Sequence, residues 1–141
     1  AGVDAIIVPD LPPDESQELR SALNANQVGL ISLLAPTSSN ERIELGARMS
    51  DSFIYCVSVA GVTGARSELP SNLNSFISRV REQSSLPIAI GFGIADKKHV
   101  ETVGEIADIA IVGSALINVL DAAKEGEVAN AAYTFVSSLT D

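Results

Sequence analysis

The sequence predicts an α/β fold in which parallel strands alternate with helices. Five apolar, partly β-branched runs recur along the 141 residues without alternating apolar and polar positions, which is typical of strands covered on both faces. Segments with helical periodicity separate these runs, and the strand–helix unit recurs roughly every 25 residues. Such repetition indicates parallel strands joined by right-handed crossovers. The predicted strands occupy residues 5–8, 30–34, 53–59, 88–90 and 109–112.

The clearest of the predicted helices occupies residues 71–83. Apolar side chains there recur at i, i+3, i+4 and i+7 and form one stripe, made of Leu73, Phe76, Ile77 and Val80. Two other helices open with a capping-box pattern, which satisfies the first free amides of a helix: Asp14 with Gln17, and Ser38 with Glu41. A further helix is predicted to open at Asp96, after the fourth strand.

Two architectures fit this pattern, an open doubly wound sheet and a (β/α)8 barrel. An open sheet usually carries its glycine-rich phosphate loop after the first strand, whereas the glycines here cluster after the last two. In barrels, phosphate is often held by the loops after strands seven and eight. The predicted fold class is therefore α/β, a partial (β/α)8 TIM barrel with about five parallel strands. We expect residues 1–141 to form a single domain, the C-terminal portion of that barrel, from which strands one to three are absent.

The composition excludes several classes of function. Nine Lys and Arg residues against 18 Asp and Glu give a net charge of −9, which argues against a nucleic acid or an anionic membrane as the main partner. The apolar runs are too short to span a bilayer. A single Cys and a single His leave neither a disulfide framework nor a Cys/His metal cluster, and this usage fits a reducing cytoplasm. We therefore expect a cytoplasmic protein with no metal site.

Glycines follow the last two predicted strands and indicate an anion site. Gly91-Phe92-Gly93 ends one strand, and Gly113-Ser114 follows the next and precedes a helical stretch. Main-chain amides at a helix start carry a partial positive charge, and the Ser114 hydroxyl is expected to cap that start. The alternative interpretation is that these are only turn glycines at strand ends. The pairing of the two motifs on consecutive strands favours the anion site.

The segment GVTGAR, residues 61–66, is predicted to be a lid loop or a surface connection.

Three residues elsewhere in the chain are of types that could serve as catalysts, but each has a less specific structural explanation. Asp10 follows a strand, where barrel catalysts lie, but a loop or interface role is equally consistent with its position. His99 is expected to be solvated on a polar helix start, and Cys56 to be buried within a strand. None of the three is predicted to be catalytic.

Five stretches together resemble one family, the α subunit of tryptophan synthase. They occur in order and at the family's spacing, and they include VPDLP at 8–12, GVTGAR at 61–66, GFGI at 91–94 and VGSA at 112–115, besides LAPTSSNER at 34–42. The resemblance covers nearly the whole chain and is least diagnostic beyond about residue 120. It implies a (β/α)8 carbon–carbon lyase that cleaves indole-3-glycerol phosphate to indole and glyceraldehyde 3-phosphate. It also implies that indole passes to a β subunit. The protein itself would be located in the cytoplasm, or in the plastid stroma if it is from a plant.

The resemblance also assigns site residues. The substrate phosphate would be bound by Gly64, Phe92, Gly93, Gly113 and Ser114. The indole pocket would be lined by Ile7, Leu33, Tyr55 and Phe92. The lid loop would contain Gly61, Thr63 and Gly64, and the β-subunit interface Asp10, Pro12 and Pro13. By the same resemblance this subunit has no cofactor of its own, because pyridoxal phosphate belongs to the β subunit.

The reaction implied by the resemblance is a retro-aldol cleavage, which needs a general acid and a general base. The family's two carboxylates lie on and just after strand two, and no residue here corresponds to either. These 141 residues alone are therefore expected to be inactive and, with two open sheet edges, to associate or aggregate. Two alternatives stay open: another phosphate-binding barrel enzyme of biosynthesis, and a non-catalytic α-like subunit that docks on a β partner and regulates it.

Overall fold

The computed structural model of the chain describes residues 2–58, 72–91 and 93–140. The strands are β1 (Ala5–Ile7), β2 (Gly29–Ile31), β3 (Leu33–Leu34), β4 (Ile54–Val57), β5 (Ile88–Gly91) and β6 (Ile109–Ile111). The helices are α1 (Gln17–Ala25), α2 (Asn40–Met49), α3 (Leu73–Gln83), α4 (Lys97–Gly104), α5 (Ser114–Ala122) and α6 (Val128–Thr140). A single 3-10 turn, Pro13–Glu15, precedes α1 in the described part of the chain. The predicted alternation of strands and helices is confirmed.

All strand pairs are parallel, and they form a two-stranded sheet, β1–β2, and a four-stranded sheet whose strands follow chain order, β3–β4–β5–β6. The predicted strand 30–34 is divided at Ser32 into β2, which pairs with β1, and β3, which pairs with β4. The Ser32 N–H donates to the Ser50 hydroxyl (2.9 Å), whereas its carbonyl accepts from the Tyr55 N–H (3.0 Å). A side chain thus replaces a neighbouring strand as acceptor, and the strand changes partner at this residue.

One face of the sheet packs on the helices and forms the core. Its side chains alternate along three strands, as the strand period requires: Leu34, Ile54, Cys56, Ile88 and Ile90. The helices contribute the stripe of α3 predicted from sequence, and all four of its residues are buried. Cys56 is buried as expected, and its burial raises the pKa of the thiol to about 12. This thiol is therefore protonated at neutral pH and acts as a small apolar side chain.

The opposite face of the sheet points away from this helix layer. Leu33 pairs with Tyr55, Tyr55 with Ala89, and Ala89 with Ile109, so the four side chains project to the same side. Ala89 is fully buried, whereas the other three are half-buried. Apolar side chains therefore cover both faces of the sheet, as the lack of alternation in the sequence predicts.

Both predicted capping boxes are wrong in detail. Asp14 lies inside the 3-10 turn, where its carboxylate pairs with Arg42 (3.2 Å), and Ser16 precedes α1 without a side-chain cap. Ser39, one residue after the predicted Ser38, has the extended backbone of an N-cap, and its hydroxyl accepts from the Arg42 N–H (3.3 Å). The backbone conformation at the start of the helix determines which residue caps it. The spacing of polar residues does not fix that conformation.

The carboxylate of Asp108 joins three elements. Its Oδ2 accepts from the backbone N–H of Ile88 (2.8 Å) at the start of β5 and from the Arg81 guanidinium (2.9 Å) at the end of α3. The N–H bond first, and Arg81 second, lower the pKa of this carboxyl below its ordinary value of 3.8.

Replacing this carboxylate, Asp108→Ala, should lower the free energy of unfolding by about 1 kcal/mol, because the Ile88 N–H loses its acceptor. The native pKa is lowered, so the difference between wild type and variant should be present above the unfolded-state pKa and vanish as pH falls through the native pKa. Denaturant unfolding at neutral pH and at a series of pH values descending from 3.8 measures it. Glu101→Ala, at the exposed Lys97–Glu101 pair (4.0 Å), is the matched control and should have little effect. A pH-independent difference would contradict this account.

The ring of Tyr55, on β4, covers the end of β5 at Gly91. Tyr55 pairs with Ala89, and Gly91 is two residues further on the same face, so the two positions are diagonal neighbours. A Cβ atom at residue 91 would overlap the Tyr55 hydroxyl and the ring carbon that carries it. The absence of a side chain at Gly91 therefore leaves the space that the Tyr55 ring occupies.

The substitution Gly91→Ala should displace Tyr55 and lower the free energy of unfolding by about 1–3 kcal/mol, the usual cost of overpacking. Adding Tyr55→Leu, which shortens the opposing side chain, should recover part of that loss and give a favourable coupling energy in a double-mutant cycle. Gly104→Ala is the matched control, because no atom lies within 4 Å of the position of its Cβ. Strictly additive effects of the two substitutions would refute the contact.

Candidate functional site

The two predicted glycine motifs lie at one edge of the sheet. Gly91 on β5 and Ile111 on β6 are register partners. Gly93 lies two residues after Gly91, and Gly113 lies two residues after Ile111. Because the strands are parallel, their carboxyl ends meet at the same edge. The sequence prediction that the two motifs stand side by side is therefore consistent with the strand register.

The backbone at both glycines is open to solvent. Gly93 has a φ of +81°, a left-handed conformation that favours glycine, and no atom lies within 4 Å of the position of its Cβ. Gly113 has a φ of −116° and is equally uncrowded. The conformation thus explains glycine at residue 93, whereas at residue 113 the lack of a side chain leaves space through which a ligand could approach the main chain.

Helix α5 begins at Ser114, but Ser114 does not cap it. Gly113 occupies the N-cap position, and the first turn has no side-chain capping bond. The expected hydroxyl cap is wrong because Ser114 is already the first helical residue, one position beyond the residue whose side chain can reach the free amides. Among the described residues no side chain caps those amides, which suits them to bind an anion.

The loop after β5 is fixed on its far side by Ile94, Asp96 and His99. Asp96 caps α4 as predicted, and its carboxylate accepts from the His99 N–H (2.9 Å). Ile94 is 3% exposed and belongs to the core. The expectation that His99 is solvated is wrong: it is 7% exposed, and its Nδ1 accepts from the Ala95 N–H (3.4 Å). Helix α4, which carries His99, packs against α6 and β6.

Three of the residues assigned to the indole pocket are described, and strand pairing relates them. Leu33 and Tyr55 are register partners in the four-stranded sheet, and Ile7, in the two-stranded sheet, pairs with Ile31, two residues before Leu33. Ile7 is 38% exposed, and the other two are half-buried. Partial burial raises the pKa of the Tyr55 hydroxyl, so this group is neutral at physiological pH and can form a boundary of an apolar site.

Several assigned residues lie outside the described residues: Gly61, Thr63 and Gly64 of the lid loop, and Phe92. The predicted interface residues are described. Asp10 is exposed, Pro12 is half-buried, and Pro13 is buried at the first position of the 3-10 turn. Of the three, Asp10 presents the most surface to a partner.

A surface cleft of about 390 Å³ lies between α1 and α2 and contains none of the glycines of the candidate site. It is lined by Pro13, Asp14, Gln17, Arg20, Ser21, Asn24, Leu45 and Met49. Within the described ranges no cluster of three or more His, Cys, Asp or Glu side chains could hold a metal ion. None of the helices in those ranges is long and apolar enough to cross a membrane.

Two residues of the site region, Gly91 and His99, were not assigned a role from sequence. Gly91 is part of the GFG motif, but its contact with Tyr55 depends on strand register. For His99 a signal existed: it stands three residues after the N-cap Asp96, where the second member of a capping box lies.

Comparison with known proteins gives consistent results. The family model described as tryptophan synthase alpha chain matches residues 1–140. A tryptophan synthase alpha chain from Roseiflexus sp. (strain RS-1) is 50% identical over 139 residues, which are 99% of this chain and 53% of the relative. A chain from a study of the tryptophan synthase a2b2 complex of Pyrococcus furiosus superimposes with a TM-score of 0.86 at 30% identity, over 98% of this chain and 56% of that one.

A structure of Mycobacterium tuberculosis tryptophan synthase is similar as well, with a TM-score of 0.83 and 33% identity over 98% of this chain and 50% of the other. The chain thus spans about half the length of the curated relatives and solved structures it matches. These likenesses confirm the predicted fold class, in which the parallel strands and helices form part of a (β/α)8 barrel. Since the family model matches nearly every residue, the chain belongs to the tryptophan synthase alpha chain family.

Proposed function

We propose that the protein containing this chain cleaves indole-3-glycerol phosphate to indole and glyceraldehyde 3-phosphate. The single observation that carries the proposal is the family match over residues 1–140. The geometry supports it independently, because two glycines follow adjacent parallel strands at one edge and an apolar surface lies on the face beside them. Phosphate and indole are the two ends of this substrate.

In this proposal the phosphate is bound by main-chain amides. Gly93 and Gly113 leave the backbone uncovered, and Ser114 opens α5 with its first amides free of a side-chain cap. Gly64 and Phe92 complete the set by family resemblance. The net charge of −9 is no obstacle, because exposed charges more than about 8 Å away are largely screened at physiological salt, whereas amides in contact are not.

The indole ring is proposed to lie against Ile7, Leu33 and Tyr55, with Phe92 as a further wall. Strand register already brings Leu33 and Tyr55 together. The Tyr55 ring lies over Gly91, where the lack of a Cβ leaves room for it. An apolar surface of this kind suits a flat aromatic ligand.

Cleavage of the carbon–carbon bond requires protonation of the indole ring carbon and removal of the proton from the neighbouring substrate hydroxyl. Two carboxylates can divide these tasks. In the family they stand on and just after strand two, and no residue of this chain corresponds to either. This chain therefore supplies binding groups, and we propose that residues 1–141 alone do not catalyse the reaction.

The proposed partner is a tryptophan synthase β subunit, which receives the indole and carries pyridoxal phosphate; the α subunit needs no cofactor of its own. The similar Pyrococcus furiosus chain comes from a study of an a2b2 complex. Asp10 and Pro12 are proposed to face the β subunit, since they are the accessible members of the predicted interface set. The proposed location is the cytoplasm, or the plastid stroma of a plant.

The phosphate site is tested by Gly93→Val in the full-length protein. A valine disfavours the left-handed backbone and covers the amides, so the KM for indole-3-glycerol phosphate should rise about 10- to 100-fold. Gly126→Val is the matched control, because Gly126 also has a positive φ (+85°) and an uncrowded Cβ position but lies between α5 and α6. Indole release measures both, and thermal unfolding compares their stability. Equal KM values in the two variants would reject the phosphate assignment.

The lid is tested by Thr63→Val. If the loop closes to assemble the site, turnover should fall more than substrate binding weakens, because closure acts on the chemical step. Thr102→Val, at an exposed threonine of α4 whose hydroxyl donates to the Lys98 carbonyl (2.8 Å), is the control. Steady-state kinetics of indole release separates kcat from KM. A variant with lower affinity and normal turnover would show that the loop is a passive wall.

A further inference from the structure

The imidazole of His99 is buried against the loop that follows β5. Its side chain is only 9% exposed, and it lies on α4, four residues beyond Ala95. We propose that His99 is a positioning residue, which holds residues 93–95 in the conformation that presents the Gly93 backbone to the substrate phosphate. This inference rests on the proposed function, because it assigns a further role at the same site.

Two reciprocal hydrogen bonds connect His99 with the loop. The Asp96 carboxylate accepts from the His99 N–H (2.9 Å), and Nδ1 of His99 accepts from the Ala95 N–H (3.4 Å). This arrangement resembles a capping box, with histidine in place of Glu or Gln and with the donor one residue before the N-cap. Ile94, between these anchors and Gly93, is buried in the core at 3% exposure. The loop is therefore fixed at three consecutive residues.

Gly93 itself needs such support. It has a left-handed backbone, no atom within 4 Å of its Cβ position, and the large conformational freedom of glycine. A binding loop that is ordered before its ligand arrives loses less conformational entropy on binding. Because Gly93 has no side chain to restrain it, restraint at Ala95 and Ile94 determines how often its backbone has the binding conformation.

The bond to Ala95 requires one protonation state. Nδ1 can accept only when the proton of the neutral ring is on Nε2; in the cation both nitrogens are donors. Nδ1 also lies 3.3 Å from Oδ1 of the Asp96 carboxylate, so the neutral ring with its proton on Nε2 is the form that accepts from the Ala95 N–H.

The other charged groups around His99 are few. Of the elements packed against α4, β6 has no ionisable side chain, and α6 has only Tyr133, which is 73% exposed. On α4 itself Lys97 pairs with Glu101 (4.0 Å), and Lys98 is exposed. Asp96 is thus the charged group in contact with the ring within the described residues.

The experiment compares three variants of the full-length protein. His99→Gln keeps an acceptor, His99→Leu keeps an apolar side chain without one, and Val103→Ala removes buried volume from the same helix while the hydrogen bond from Ala95 to His99 stays in place. The KM for indole-3-glycerol phosphate should rise about three- to tenfold in His99→Leu, the usual worth of one hydrogen bond. It should stay within about twofold of wild type in His99→Gln and Val103→Ala, and kcat should change less than KM.

The comparison of His99→Gln with His99→Leu gives a readout that a purely structural role would not move, because only the glutamine restores an acceptor for the Ala95 N–H. An equal rise of KM in His99→Gln and His99→Leu overturns the proposal, as does an equal rise of KM in His99→Leu and Val103→Ala.

Failure of the proposed function would give a different result. Full-length wild-type protein without any lyase activity would reject that function and not the positioning role. The positioning role is then read from the binding of inorganic phosphate, followed by the Gly93 amide resonance in NMR titrations of wild type, His99→Gln and His99→Leu. Weaker phosphate binding in His99→Leu alone supports the role. Equal binding in all three, including no binding at all, overturns it.

Discussion

Burial of β5 on both faces is the constraint on which the rest of the structure depends. Ile88, Ala89 and Ile90 are each fully buried, with β4 and β6 on either side. A strand in that position has no room for polar side chains, since each would need a buried partner. Polar and flexible groups must therefore come from the segment after the strand. This explains why the candidate site uses the backbone of Gly93 and does not use a side chain of β5.

The parts of the fold that follow from hydrophobic pattern could be predicted from the sequence. The apolar stripe of α3 and the apolar runs of the strands indicate locally which side chains each element buries, and those side chains are buried in the structure. Helix starts could not be predicted as well, because several polar residues near an entrance can each serve as cap. At α2 the extended backbone of Ser39 decides, and before α1 an ion pair with Arg42 engages Asp14.

The positions of the two glycine motifs could be predicted from the sequence, but the contacts that support them could not. Glycines at the ends of two strands are visible in the sequence, and parallel pairing brings them to one edge. The packing of Tyr55 on Gly91 is not visible, because it joins residues far apart in the chain through strand register. Burial of His99 is hidden for a related reason: a polar segment such as KKHVE indicates a solvated helix face, whereas α4 packs against both α6 and β6 in the folded chain.

Sequential pairing of the strands has a consequence for how such a chain folds. Ala5 pairs with Gly29 and Leu33 with Tyr55, so each strand finds its partner about one strand–helix unit away. Short sequence separations keep the entropy cost of closing each loop low and favour rapid local assembly. During synthesis the sheet can grow by one unit at a time, and at every stage its newest strand leaves an apolar edge uncovered. Local contacts therefore make each step of assembly fast, and the same order of assembly leaves one edge of the sheet unpaired until the next strand emerges.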